Sequence, residues 1–154
     1  MRYFNQIKLN LTKHQIYFNI YKSGFEVFKN HKLFGVGNKN YRVETCNQKE
    51  MNLKKKDNYI CTTHPHQIYF EMLSEHGLFG SILIFFIFYK LIFSKIIKVF
   101  SKNNYVQIGS AIYLILIFLP IIPSGAFFNN YMITMFAINL SIFYASSKKL
   151  NIFN

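Results

Sequence analysis

Residues 103–147 read NNYVQIGSAIYLILIFLPIIPSGAFFNNYMITMFAINLSIFYASS and contain no formally charged side chain over 45 consecutive positions. A helix that crosses the hydrocarbon core of a bilayer needs about 20 apolar residues, so this stretch has room for two crossings. The whole chain of 154 residues is 51% hydrophobic. These features predict an all-α integral membrane protein.

The polar and apolar parts of the chain predict an external region at residues 1–76, followed by three transmembrane helices within residues 77–154. Residues 14–32 place apolar side chains at helical spacing, which predicts an amphipathic helix that covers the other helices or lies on the membrane surface. Residues 35–40, GVGNKN, break the helical pattern and predict a turn. They are not a dinucleotide-binding fingerprint, because they lack the third glycine and a strand-to-helix context. Residues 47–60 predict an exposed loop.

The first span follows from the apolar residues after position 68. A helix is predicted to begin at Thr63 or His64, with Pro65 in its first turn, where the missing N–H costs nothing. It is predicted to enter the membrane near Gly77 and to continue to about Phe100.

The second and third spans follow from the uncharged stretch. The second is predicted over 106–122 with a kink at Pro120. The return segment PSGAFFNN at 123–130 then leads into a third span that ends near Ser146.

The lysines predict the orientation of these spans. Positive residues are enriched on the cytoplasmic side of membrane helices. Four of them crowd the far end of the first span, namely Lys90, Lys95, Lys98 and Lys102. The far end and the C-terminus are therefore predicted to be cytoplasmic, with the histidine-bearing end outside.

The net charge of +12 does not indicate a nucleic-acid partner. Six of the lysines flank apolar segments, where they set topology, and the others fit a solvated or membrane-facing surface. The first 76 residues also lack an apolar signal region that could export them. We therefore expect further transmembrane helices upstream, in a longer protein.

Residues 61–80, CTTHPHQIYFEMLSEHGLFG, place two histidines directly before an apolar segment. At 100° per residue, one helical stripe would contain His66, Leu73, Gly77 and Gly80. The two glycines would let a neighbouring helix pack closely. Glu71 and Glu75 would fall on the opposite face, away from His66. From spacing alone, His66 fits an interfacial cap as well as a functional imidazole.

Cys46 and Cys61 are the only cysteines, and both lie in the region predicted to be external. An even count in an oxidising compartment predicts a disulfide that closes the loop between them. The alternative is a zinc site that adds His64 and His66 to the two thiolates.

Two motifs in this region resemble the O-antigen ligase family. The pair His66-Gln67, nine further residues and the Gly77-Leu-Phe-Gly80 motif are similar to the family signature of His with Asn, Ser or Gln, nine residues and Gly-x-x-Gly. FEVFKNHKLFGVGNKNYR at 25–42 is similar to the family's F-x-x-x-P-x-x-G-x-G-x-x-x-F, with Lys32 in the proline position. The resemblance covers about residues 14–146.

The resemblance implies a reaction and its partners. Family members are multi-pass membrane glycosyltransferases that move a glycan from a polyprenyl diphosphate carrier to lipid A core, a polysaccharide or a protein. This chain would be the C-terminal part of such a glycan ligase, with membrane lipids around it and no cofactor or metal. Ligase, polymerase and protein glycosyltransferase activities stay open, because the acceptor pocket depends on other helices.

The resemblance also implies roles for individual residues. His66 would act on the acceptor hydroxyl as a base or an orienting group, since neutral imidazole has its pKa near working pH. Arg42, the only arginine besides Arg2, would bind the donor diphosphate, and Gln67 and His64 would be further substrate-binding residues. A solvated loop charge is the alternative interpretation of Arg42. The alternative function is a non-enzymatic small membrane protein, either a truncated remnant or an accessory subunit.

Overall fold

The computed structural model describes residues 2–47, 59–100, 104–120 and 124–146, with side chains from Ile16 onward. Most of the predicted 47–60 loop and the C-terminal eight residues lie outside these ranges. Within them the chain is helical, without strands. The elements in chain order are α1 (Arg2–Asn30), α2 (Tyr41–Cys46), α3 (Ile68–Phe88), a π-helical segment (Tyr89–Phe93), α4 (Ser94–Phe100), α5 (Tyr105–Ile117) and α6 (Asn130–Ala145).

Within the described residues, one helical stretch is long and apolar enough to cross a membrane. It runs over Ile68–Ile97, spans 30 residues and has a mean hydropathy of 2.0. Helices α5 and α6 are apolar but shorter, with 13 and 16 residues. At 1.5 Å per residue they reach about 20 and 24 Å, less than the roughly 30 Å of a hydrocarbon core. Length and composition therefore support one of the three predicted spans, and do not establish the other two.

The second apolar helix ends earlier than the sequence predicted. Helix α5 stops at Ile117, so Pro120 follows a helix end and does not kink a helix that continues to 122. The residue before a proline avoids the helical region, which makes a stop at this point favourable. Residues 121–123 lie outside the described ranges.

The apolar helices meet around a cluster of phenylalanine rings. The ring of Phe88 on α3 lies 5.1 Å from Phe118, 5.7 Å from Phe127 and 5.3 Å from Phe136, measured between centroids. Such tilted and edge-on contacts are favourable for aromatic pairs. The cluster joins α3 to the ends of α5 and α6, so the return segment after Pro120 is packed against α3.

Helix α1 is amphipathic, and its apolar face packs against α3. Its buried positions are Ile20, Ser23, Gly24 and Val27, which share one face at helical spacing. The absence of a side chain at Gly24 matters, because an added Cβ would lie 3.0 Å from the Cβ of Pro65. The histidine-bearing segment therefore lies directly on α1.

The start of α3 corrects the sequence prediction. The helix begins at Ile68, not at Thr63 or His64, and Gln67 is its N-cap. The Gln67 side chain accepts a hydrogen bond of 3.0 Å from the Phe70 amide, which satisfies one of the free donors of the first turn. The stripe that would join His66 to Gly77 and Gly80 therefore does not exist, because His66 precedes the helix.

Candidate functional site

The two glycine motifs form a backbone junction. Gly77 has φ 63° and ψ −166°, a conformation open essentially to glycine alone, and it breaks α3 into two arms. An added Cβ on Gly77 would lie 2.5 Å from the Gly35 nitrogen. Gly77 therefore serves close packing against the turn after α1, where the sequence predicted packing against another helix. Gly80 contacts its own helix, since its Cβ would lie 2.7 Å from the Cβ of His76.

Four hydrogen bonds close this junction. The carbonyls of Ser74 and Glu75, left free by the break, accept from the amides of Val36 and Gly37 at 2.9 and 2.8 Å. In the reverse direction, the amides of Leu78 and Phe79 donate to the carbonyls of Lys32 and Leu33 at 2.8 and 3.2 Å. All four backbone groups released by the kink are thus satisfied, which buried backbone requires. The turn after α1 and the broken helix form one rigid unit.

The segment that carries the histidines is attached to α1 by a hydrogen bond and to α2 by a disulfide. The amide of Ile60 donates to Ser23 Oγ at 2.9 Å, and Ser23 shares a 2.8 Å hydrogen bond with the buried hydroxyl of Tyr41. Cys61 forms a disulfide with Cys46, with their Cα atoms 4.6 Å apart. Sulfur atoms held in a disulfide are not available as thiolate ligands, so the alternative zinc site is not present in this arrangement.

His64 and His66 lie side by side. Their ring centroids are 4.0 Å apart, whereas a helix through this segment would have put them on opposite faces. The ring of His66 also meets the edge of Tyr17 on α1 at 5.8 Å. Pro65, which lies between the two histidines in the chain, is buried and holds the segment against α1. Tyr17 was not predicted to belong to the site, and its position at the edge of the amphipathic face carried no signal of it.

The backbone of His66 is unusual. Its φ of 56° lies in the left-handed region, which non-glycine residues adopt rarely, although histidine does so more often than most. The His66 carbonyl accepts a 2.9 Å hydrogen bond from the Ser124 amide, which comes from the return segment before α6. The surrounding structure therefore maintains this backbone conformation of His66.

Two buried glutamates line the other side of the site. Both oxygens of Glu71 accept from the Phe127 amide, at 3.0 and 2.9 Å. Glu75 accepts a 2.9 Å hydrogen bond from the Lys39 amide. Buried carboxylates require such partners, and these two attach the return segment and the turn after α1 to α3. The sequence gave no indication of these backbone partners.

A polar cavity of about 330 Å³ opens beside these carboxylates. Its walls are formed by Lys39, Thr63, His64, Glu71, Glu75, Ala126, Phe128 and Asn129. His64 Nδ1 is hydrogen bonded to Thr63 Oγ1 at 2.9 Å, and the ring also interacts with the backbone of Ser124. His64 therefore stands between this cavity and the ring of His66.

The other two predicted substrate-binding residues have different surroundings. Gln67 is buried, its oxygen caps α3 and its Nε2 lies 3.5 Å from the Pro120 carbonyl, so both ends of the amide face groups of the fold.

Arg42 is exposed on α2. It lies one helical turn before Cys46, on the same face, and Cys46 is bonded to the histidine segment. The structure thus joins Arg42 to the histidine segment only indirectly.

We expect His64 to remain neutral to lower pH than an exposed histidine. Burial is the main cause that lowers the pKa of His64 below 6.5, and the neighbouring His66 is the second. A titration followed by NMR should show this low pKa, and His66→Ala should raise it only partway, because burial persists. His31→Ala, which removes a histidine paired with Glu44, should leave it unchanged. A pKa of His64 at or above 6.5 would contradict the arrangement.

The same shift has a consequence for stability. The unfolded chain takes up a proton on His64 at a higher pH than the folded chain does, so the contribution of this group to folding is complete above about pH 6.5. It decreases as the pH falls from there towards the lowered pKa.

Comparison with known proteins gives one match. The sequence model of the O-antigen ligase family matches residues 3–85, which is more than half of the chain and includes both glycine motifs and both histidines. No curated protein and no solved structure matches the chain. The match ends inside α3, so the family assignment rests on the region that builds the site.

Proposed function

This chain belongs to the O-antigen ligase family, and from that premise we propose that it forms the C-terminal part of a membrane glycan ligase. The ligase would move a glycan from a polyprenyl diphosphate carrier to a lipid or polysaccharide acceptor. We further propose that it lies in the bacterial inner membrane as a multi-pass protein, with the histidine segment on the outer side.

The observation that supports this proposal is the strained histidine next to the apolar helix. His66 has φ 56° and comes two residues before the candidate membrane span begins at Ile68. Strained residues cluster at functional sites, where the rest of the fold maintains them. A lipid-linked donor would present its diphosphate on this side of the membrane, outside the hydrocarbon core that its polyprenyl chain occupies.

In the proposed reaction His66 accepts the proton of the acceptor hydroxyl. The acceptor oxygen attacks the anomeric carbon of the glycan, and the bond from that carbon to the diphosphate oxygen breaks. The electron pair leaves with the polyprenyl diphosphate, and the proton stays on the imidazole until solvent removes it. A neutral imidazole can accept this proton.

Arg42 is proposed to bind the donor diphosphate. A guanidinium binds two phosphate oxygens at once, and its charge offsets the negative charge that grows on the leaving group. The Cys46–Cys61 disulfide supports this role, since it connects the helix of Arg42 to the segment of His66. Gln67 would act through the cap of α3, which sets where that segment ends.

The polar cavity beside His64 is proposed to receive a sugar ring. Its carboxylates and Asn129 offer hydrogen-bond acceptors to sugar hydroxyls. Sugars present many hydroxyl donors and no charge, so buried acceptors are a suitable complement.

The test is a transfer assay in membranes of cells that lack their own ligase, with this chain placed in the longer protein that supplies the other helices. Wild-type protein should attach glycan, and Arg42→Ala should lower kcat/KM about 10- to 150-fold, the equivalent of one charged hydrogen bond. Arg42→Lys should recover only part of this loss, because an ammonium group lacks the planar fork. Lys22→Ala, at another exposed cation, is the control and should transfer normally. No glycan attachment by a correctly inserted wild-type protein would reject the proposed function.

A further inference from the structure

The junction of the two glycine motifs carries an exposed apolar surface. We call it the apolar wedge, and it consists of Leu33, Phe34, Leu78 and Phe79. The rings of Phe34 and Phe79 stack at 5.6 Å with an angle of 19° between their planes. Even so, these side chains are 74% and 61% exposed, and both leucines are exposed as well. Two stacked aromatic rings on the outside of a fold need a partner other than water.

The wedge is held rigidly. Leu33 and Leu78 belong to the two chain segments that the four junction hydrogen bonds join, and the glycines bring those segments into backbone contact. The turn after α1 cannot fold its apolar side chains inward without breaking these bonds. The side chain of Phe34 therefore stays exposed as long as the hydrogen bonds of the junction are intact.

The apolar surface continues along the candidate span. On the C-terminal side of Phe79, exposed side chains follow at helical spacing along α3, namely Ile82, Leu83 and Phe86. With Phe79 and Gly80 they line a groove of about 630 Å³. Only 22% of the most apolar window of this helix is buried within the structure, so its outer surface is free to meet lipid. The wedge and this helix face form one uninterrupted surface.

Polar residues flank the wedge in the chain. Lys32 precedes Leu33 and is exposed, and Asn38, Lys39 and Asn40 follow on the turn and are exposed too. An aromatic group with lysines at its upper edge is typical of the boundary between headgroups and acyl chains. Lysine can extend its ammonium towards phosphate there while its methylene groups stay in the apolar layer.

We propose that the apolar wedge inserts into the bilayer leaflet at this end of α3, with acyl chains around Phe34 and lipid headgroups around Lys32. The turn after α1 is then a membrane anchor for the region outside the span. Continuity with the apolar face of α3 identifies lipid as the occupant, since the same bilayer that covers Ile82 and Phe86 must reach Phe79. This inference does not depend on which reaction the protein performs.

The chain contains no tryptophan, so one introduced indole reports on its own surroundings. Phe34→Trp in reconstituted vesicles of phosphatidylcholine and phosphatidylglycerol should emit at short wavelength. It should lose most of its fluorescence when the acyl chains are brominated. Phe79→Trp marks the depth of the span itself and should be quenched similarly. Asn38→Trp, on the polar side of the same turn, is the matched control and should respond to iodide in the water instead.

Two results would overturn the proposal. Long-wavelength emission from Phe34→Trp with quenching by iodide would show that the wedge lies in water. Short-wavelength emission that brominated lipid does not reduce would show that protein, from another helix or a second copy, covers it. Leu33→Trp keeps Phe34 in place, and its quenching by brominated lipid would support the proposal independently of any disturbance that the first substitution causes.

Discussion

Replacing His66 with asparagine should lower the rate of glycan transfer by about 10² to 10⁴-fold, the usual contribution of a general base. The protein should still insert into membranes in normal amounts. Asparagine is chosen because it tolerates the left-handed backbone that His66 adopts, with its φ of 56°. The variant thus removes the imidazole and keeps the turn. His66→Ala tests the same role with greater backbone strain. Comparing the two variants therefore separates the loss of the imidazole from a disturbance of the turn.

His64 provides the neighbouring comparison. Its ring lies 4.0 Å from that of His66 and borders the polar cavity, so His64→Ala should reduce transfer by a smaller factor than His66→Asn. The measurement is glycan attachment in cells without a native ligase, normalised to the amount of protein in the membrane. Wild-type attachment by His66→Asn would remove the catalytic role of this residue.

Gly77→Ala should unfold the site. The backbone at Gly77 is essentially reserved for glycine, and occupying such a region with a side chain costs about 1–3 kcal/mol. The new methyl group would in addition lie 2.5 Å from the backbone of Gly35, where nothing flexible can move away. Separation of the two backbones would weaken the four junction hydrogen bonds, so the total loss should exceed the strain alone.

Gly109→Ala is the matched control for this substitution. Gly109 lies inside α5, and an added Cβ there meets nothing within 4 Å. Alanine favours a helix over glycine by about 0.5–1 kcal/mol, so this variant should be neutral or slightly more stable. Thermal unfolding in detergent measures both, at about 2–4 °C per kcal/mol for a chain of this size. Equal melting temperatures for the two variants would show that the junction does not hold the fold together.

Several features of the fold could be predicted from sequence because they depend on local pattern. The uncharged stretch at 103–147 predicted apolar helices, and two of them are present as α5 and α6. The periodic apolar positions in 14–32 predicted an amphipathic helix, and residues 20–27 of α1 bury that face. The family resemblance rested on motifs that are contiguous in the chain, and the match over residues 3–85 confirms it. Each of these signals depends on residues that are close together in the sequence.

The start of α3 and the orientation of the histidines could not be predicted in this way. Helical periodicity assumes that one regular backbone continues, and His66, Gln67 and Gly77 all leave it. Pro65 is compatible with a first helical turn, so the sequence alone favoured the longer helix. Contact with α1 decided the outcome, because Gly24 makes room for buried Pro65 and the chain then has to turn at His66.

The sequence by itself therefore determined the class of the protein, its apolar helices and the residue types of the site. Tertiary structure alone decided which of these residues meet. Glu71 finds its partner at Phe127, 56 positions away, and Gly35 meets Gly77 across the turn and the loop between them. These partners are main-chain groups. Because every residue has a main chain, the sequence does not indicate which of these groups will meet. Only the packing of α1 and the return segment against α3 brings them within hydrogen-bonding distance.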